Sequence, residues 1–188
     1  MLRKLLLIID AQNDFITGSL AVKDAPSFVD QMVLYIQNHA KEYQMCVLTK
    51  DWHPETHCSF AENGGEWPAH CVADTEGANV HEKIKFALQD AKICTLALTK
   101  GTNEDVEEYS IFNNPKSAFE LDRIIADVDE VHICGIAYDY CVLETIKDAI
   151  KRGYKDKIVV LPELCPCIKD PERVTEYLLD EEVKLLNK

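Results

Sequence analysis

Short apolar runs alternate along this chain with longer stretches in which apolar residues recur every three or four positions. The first run, KLLLIID at 4–10, is apolar at every position from Leu5 to Ile9, the pattern of a strand buried on both faces. Four more runs of this kind predict strands at 44–49, 93–99, 130–136 and 157–161. Between them lie amphipathic segments. Pro26 opens a predicted helix to about residue 41, with Phe28, Met32, Tyr35 and Ile36 at helical spacing. Further helices are predicted at 81–90, 118–127 and 140–152, the last stopped by Gly153. Asp170-Pro171 caps a final helix predicted to reach residue 186. Strand–helix alternation with near-continuous apolar strands predicts an α/β fold of three layers, α/β/α, around a mainly parallel, doubly wound central sheet. No linker, repeat or low-complexity segment divides the chain, so 1–188 reads as a single domain.

Composition narrows the function classes. The 188 residues are 47% hydrophobic and 28% charged, as in an ordinary globular protein with one sizeable core. The formal net charge of −13 argues against nucleic acid and against an anionic membrane surface as partners. The longest apolar run is too short to span a bilayer. Met1-Leu2-Arg3-Lys4 shows no signal-peptide anatomy, and the expected location is the cytoplasm. Of the eight cysteines, Cys46, Cys94 and Cys134 sit in apolar runs, where a free thiol behaves as a small hydrophobe. A disulfide framework is therefore not expected. Cys165-Pro166-Cys167 reads as a loop after a strand, with redox or metal binding the weaker reading.

The polar residues that break the apolar pattern fall at the ends of strands. Asp10 ends the first, Asp51 and His53 follow the second, Lys100 the third, Asp139 and Cys141 the fourth. In open α/β sheets ligands bind outside the carboxyl ends of the strands, so four strands aim their chemistry at one crevice. Asp51-Trp52-His53 with His57 and His70 supplies one carboxylate and three imidazoles within twenty residues, in a segment broken by Pro and Gly. Carboxylate oxygen plus imidazole nitrogen is the donor set of a divalent transition metal that keeps positions open for water or substrate. A polar loop with unrelated histidines is the plainer alternative. Cys141 stands at a predicted helix start after Gly135 and Ala137. Unpaired N–H groups there are expected to lower a thiol pKa and to hold an oxyanion. A buried cysteine packed on the sheet is the alternative. Asp10 and Lys100 would complete an acid–base set with that thiol, or form a structural ion pair.

The ordered motifs then become specific. They are Asp10-Ala-Gln-Asn-Asp-Phe15 with Gly18-Ser-Leu-Ala-Val22, Thr49-Lys-Asp-Trp-His-Pro54, Trp67-Pro-Ala-His-Cys-Val72, Lys100-Gly-Thr-Asn103, Tyr109-Ser110, and Cys134-Gly-Ile-Ala with Asp139-Tyr-Cys-Val142. With them the chain resembles the nicotinamidases among the isochorismatase-like cysteine hydrolases, over nearly its whole length. The resemblance implies the isochorismatase-like hydrolase fold and the hydrolysis of nicotinamide to nicotinate and ammonia, in NAD salvage, through a thioester on Cys141. It implies Asp10, Lys100 and Cys141 as catalytic triad, and backbone N–H groups of Ala137 and Cys141 as oxyanion hole after a cis Ile136–Ala137 peptide. It implies Asp51, His53 and His70 as ligands of one divalent metal, usually zinc, sometimes iron or manganese. His57 is a ligand in some members and only nearby in others. Phe15 and Trp67 would sandwich the pyridine ring, with Leu20, Tyr109 and Ile136 completing the pocket. Pyrazinamide is a further substrate by shape.

Three positions depart from the family pattern: a single Gly between Phe15 and Leu20, Asp74 where Gly is frequent, and Tyr138 where Thr is common. Tyr138 is expected to bear on pocket width. Rival readings are a sister amidase acting on a ureido or carbamoyl substrate, a metal-binding or redox protein, and a non-catalytic family member. The sequence does not choose between a monomer and a homo-oligomer.

Overall fold

The computed structural model describes residues 2–186. The apolar runs become strands β1 (Lys4–Ile9), β2 (Met45–Asp51), β3 (Thr95–Lys100), β4 (Glu130–Gly135) and β5 (Ile158–Val160). A sixth strand, β6 (Lys184–Leu185), completes a wholly parallel sheet in the order β3-β2-β1-β4-β5-β6. The order reverses between β1 and β4, which pair side by side from Lys4↔Glu130 to Ile9↔Gly135. That reversal opens a crevice beyond their carboxyl ends. Parallel neighbours need crossovers, and these are the helices α2 (Ala25–His39), α3 (Glu82–Asp90), α4 (Pro115–Ala126), α5 (Leu143–Lys151) and α6 (Pro171–Asp180). Right-handed crossovers place α2 and α3 on one face and α4, α5 and α6 on the other. Arg152 pairs with Asp122 between α5 and α4, and Lys147 lies over the Tyr177 ring between α5 and α6.

Four expectations need correction. The last helix does not reach residue 186. It ends at Asp180, Glu182 takes a left-handed φ of +56°, and the buried Val183 leads the chain back to the sheet as β6. The helix predicted from 140 begins instead as a π turn over Tyr138–Val142 and becomes α-helical at Leu143. A short helix, α1 (Asn13–Ile16), follows β1 without having left a pattern to read. The third strand is an edge strand with Thr95 and Ala97 exposed, and Cys94 before it is exposed, not a core thiol. All eight cysteines are free. Among the described residues no helix is long and apolar enough to cross a membrane.

At the amino-terminal end of the sheet a polar chain enters the core. The Tyr35 and Tyr43 hydroxyls are hydrogen-bonded, Tyr43 reaches His132 Nδ1 at 2.9 Å, and His132 Nε2 meets Glu130 at 3.0 Å. Burial depresses the His132 pKa, against the pull of Glu130, with Lys4 and Lys184 adding to the depression. A depressed base binds its proton less readily folded than unfolded. Its contribution is therefore complete above the ordinary histidine pKa, about 6.5, and is lost as pH falls below it. The melting temperature is expected to fall on acidification through that window, and His132→Gln should make the fall shallower. An unchanged slope in the variant would remove His132 from the account.

Candidate active site

Four strand ends deliver polar side chains to the crevice. Asp10, just past β1, is fully buried with a left-handed φ of +48°. Its Oδ1 accepts the Thr49 hydroxyl at 2.6 Å. Its Oδ2 lies 2.9 Å from Lys100 Nζ, off line for a hydrogen bond, and is the one buried side-chain polar atom among the described residues without a hydrogen-bond partner. Lys100, ending β3, is also fully buried; it bonds Asp51 and sits 3.4 Å from the Cys141 sulfur. One cation thus serves two carboxylates and a thiol.

The electrostatics follow from burial. Desolvation disfavours the Lys100 ammonium, but Asp10 and Asp51 outweigh it and hold the lysine charged well above its ordinary range. Burial also lifts Asp51, yet the Lys100 ammonium and His53 win and keep its carboxyl far below the usual carboxylate range. Asp10 goes the other way: burial, aided by the Asp51 charge, raises it against the pull of Lys100. Burial pushes the Cys141 thiol well up, Lys100 pulls it down, and the two carboxylates push it up again. The lowered thiol pKa expected from the helix start is therefore overturned. Burial favours the neutral thiol, and Asp10 beside it is placed to take its proton.

Asp51, His53 and His70 place one donor atom each within 4.8 Å of one another. The outer ring nitrogens fix the tautomers. His53 Nδ1 donates to the Gly101 carbonyl at 2.9 Å and His70 Nδ1 to the Pro68 carbonyl at 2.8 Å. Both Nε2 atoms are left as acceptors, and His53 Nε2 lies 3.7 Å from Asp51 Oδ2. A ring that donates one nitrogen to a carbonyl and keeps the other free is the arrangement of a metal ligand, so these three residues fit a divalent cation. Gly101, with φ +64°, is required there, because a Cβ would strike the His53 ring. His57 is different. Its ring lies tilted against His53 with centroids 4.0 Å apart, but its Nδ1 accepts from Ser59 at 2.7 Å and its Nε2 donates to the Val106 carbonyl at 3.1 Å. Burial, with His53 beside it, depresses it to about 4. His57 supports the cluster and has no nitrogen to spare for it.

Cys141 and this cluster open onto one pocket. Phe15, Leu20, Trp67 and Tyr109 line it, together with Asp51, His70 and Ala137. Trp67 Nε1 donates to the Tyr109 hydroxyl at 2.9 Å, and Trp67 meets Tyr140 edge to face at 5.1 Å. Free space inside is only about 30 Å³, far below the roughly 150 Å³ that holds a benzene-sized guest. Ile136 is a correction: fully buried, it forms a cis peptide with Ala137 and does not line the pocket. Tyr138 is another. Its ring is buried against α6, with the hydroxyl 3.4 Å from Thr175, so it bears on packing and not on pocket width. The residues that sequence reasoning missed are Glu107, Tyr140 and Ile168 in the lining and Thr49 and Gln12 behind it. Gln12 bridges the Asp51 backbone in both directions, at 2.7 and 2.8 Å. A glutamine two residues past Asp10, at the end of a buried strand, was the signal available for it.

The isochorismatase domain matches residues 4–176. The chain belongs to the isochorismatase family. The chain is 34% identical to the nicotinamidase of Escherichia coli, across 82% of this chain and 79% of that protein. The structure of a Pyrococcus horikoshii pyrazinamidase in complex with zinc superposes with a TM-score of 0.82 at 33% identity, covering 99% of each chain. That of PnC1 from L. infantum in complex with nicotinate superposes with a TM-score of 0.83 at 33% identity, covering 98% of this chain and 92% of the other. Within the isochorismatase family pattern, the departure at Asp74 is now explained: its φ is +62°, a conformation that glycine adopts without strain and aspartate tolerates.

Proposed function

We propose that this chain hydrolyses the carboxamide of nicotinamide, releasing nicotinate and ammonia, with 1–188 acting as one domain. The observation that carries the reading is the convergence of four strand ends. The Asp10–Lys100–Cys141 cluster and the Asp51, His53, His70 cluster share one aromatic-walled pocket. The nicotinamidase relatives support the same substrate.

In this reading Cys141 is the nucleophile. Asp10 Oδ2, buried beside the sulfur and short of a hydrogen bond, takes the thiol proton. The thiolate attacks the carboxamide carbon, forming the C–S bond. The Ala137 N–H, which donates to no other described residue, and the Cys141 N–H receive the oxyanion. The C–N bond breaks as Asp10 returns its proton to the departing nitrogen, which leaves as ammonia. Asp10 then takes a proton from water, the hydroxyl adds to the thioester, and nicotinate leaves with the thiol restored. Lys100 keeps its charge throughout and compensates each anion in turn. Phe15 and Trp67 hold the ring faces. A divalent ion on Asp51, His53 and His70, zinc by analogy with the Pyrococcus horikoshii structure, would supply a Lewis-acidic anchor for the pyridine nitrogen.

The test is ammonia release from nicotinamide by the purified protein, before and after chelation and dialysis. Turnover that falls on chelation and returns with zinc is expected. Release from a carbamoyl or ureido substrate, with none from nicotinamide, would replace this reading by the sister amidase.

A further inference from the structure

The segment after β5 closes one side of the pocket, and it is tied to the turn that presents Cys141. Asp139 stands two residues before the nucleophile, half-buried. Its Oδ1 accepts the Ile168 N–H at 3.0 Å and its Oδ2 accepts the Lys169 N–H at 2.8 Å. The neighbouring Tyr138 N–H donates to the Pro166 carbonyl at 2.8 Å. Ile168 lines the pocket. The Lys169 ammonium lies 5.4 Å from the Tyr140 ring centre and 5.9 Å from that of Trp67, and 3.5 Å from the Glu66 carboxylate on the loop that carries Trp67. The segment therefore joins two walls of the pocket. The proposed chemistry leaves Asp139 without a role, since Asp10 is its only proton carrier.

We propose that Asp139 is a positioning residue: its carboxylate holds the 167–169 segment so that Ile168 and Lys169 close the pocket wall over the bound ring. The inference rests on the proposed function for the identity of that ring. A carboxylate that grips two consecutive backbone N–H groups fixes both the height and the direction of the segment, which one hydrogen bond would not do. Burial works against the Asp139 charge, but the two backbone donors outweigh it and hold its carboxyl below the usual range. The grip is therefore present throughout the neutral range. Lys169 then lies against both aromatic rings, where a cation adds attraction to packing, and Glu66 draws the opposite loop towards it.

Asp139→Asn is the direct probe. Its amide oxygen can still accept one N–H, while its NH₂ group meets the other donor head-on. KM for nicotinamide is expected to rise about tenfold or more with kcat within about threefold, the signature of lost binding and not of lost chemistry. Ile168→Ala should do the same, and the double variant should be little worse than either single one, because both act through one wall. A second readout needs no substrate. In a Trp52→Phe background, acrylamide quenching of Trp67 should increase in Asp139→Asn. Unchanged quenching, additive effects, or a loss confined to kcat would each overturn the proposal. If Asp139→Asn does not fold, Asp139→Glu, which moves the carboxylate by one methylene, is read against the same outcomes. Because quenching reports the wall in any substrate's absence, a failed nicotinamide assay and an intact wall remain distinguishable.

Discussion

Asp10→Asn is expected to lower kcat by about a hundred- to ten-thousand-fold, the range for removing a positioned general acid–base. The substitution keeps the shape of the side chain and an oxygen for the Thr49 hydroxyl, which approaches Oδ1 at 2.6 Å. It removes the only oxygen in the cluster that is both buried and without a hydrogen bond. An amide can neither take the Cys141 proton nor return it to the leaving nitrogen. Since burial and the carboxylates hold the thiol well above its ordinary pKa, little thiolate forms without a base, and the loss falls on the first step. Lys100 keeps Asp51 as its partner in the variant, so the fold should survive. The check is steady-state ammonia release beside a thermal melt. A folded variant that loses less than about tenfold would show that the proton goes elsewhere, because a positioned acid–base is worth more than that.

Lys100→Met is expected to destabilise the protein by about 3–5 kcal/mol, the cost of removing one partner from a buried ion pair. Methionine fills much of the space, so the effect is electrostatic. It leaves Asp10 and Asp51 both buried, beside each other, with no ammonium between them. Urea unfolding at neutral pH measures the loss. Its pH dependence has a definite sign. Without the cation both carboxyl pKa values rise, so acid neutralises them at a higher pH than in the parent. In the parent, the depressed Asp51 contributes stability above the ordinary aspartate pKa that disappears as pH falls through its folded value. The gap between variant and parent should therefore narrow on acidification. A gap that is constant with pH would mean that packing, not charge, is what Lys100 supplies. Metal on Asp51 offsets part of the exposed charge, so the comparison is made after chelation of both proteins.

The strands were legible because five of the six segments are apolar enough to be recognised locally. Leu5 to Ile9 can only be a buried strand, and Val131 to Cys134 repeats the pattern beside it. Their position in the sheet was not. Thr95 and Ala97 are exposed although their run reads like the others, because burial depends on having a neighbour on both sides and no run of residues encodes its neighbours. The two-residue β6 carries too little pattern to compete with the helix before it. It forms because Glu182 turns the chain and the β5 edge offers unpaired backbone groups.

The chemistry divides in the same way. That Asp10, Asp51, Lys100 and Cys141 would meet was determined by the sequence itself. Each ends or follows a predicted strand, and parallel strands put their carboxyl ends on one side of the sheet. The donor types for a metal, and the family motifs, are likewise local. Tertiary structure alone decided which groups are free to act. His57, left open by its sequence, has both ring nitrogens engaged in hydrogen bonds, one of them to a carbonyl forty-nine residues away. Tyr138 and Tyr140 are equivalent on paper, yet one is buried against α6 and the other faces the pocket, since the π turn sends alternate side chains in different directions. The thiol pKa reversed for the same reason. A helix start is written in a few residues, whereas desolvation is a sum over everything packed around the sulfur, and that sum exists only once the chain has folded.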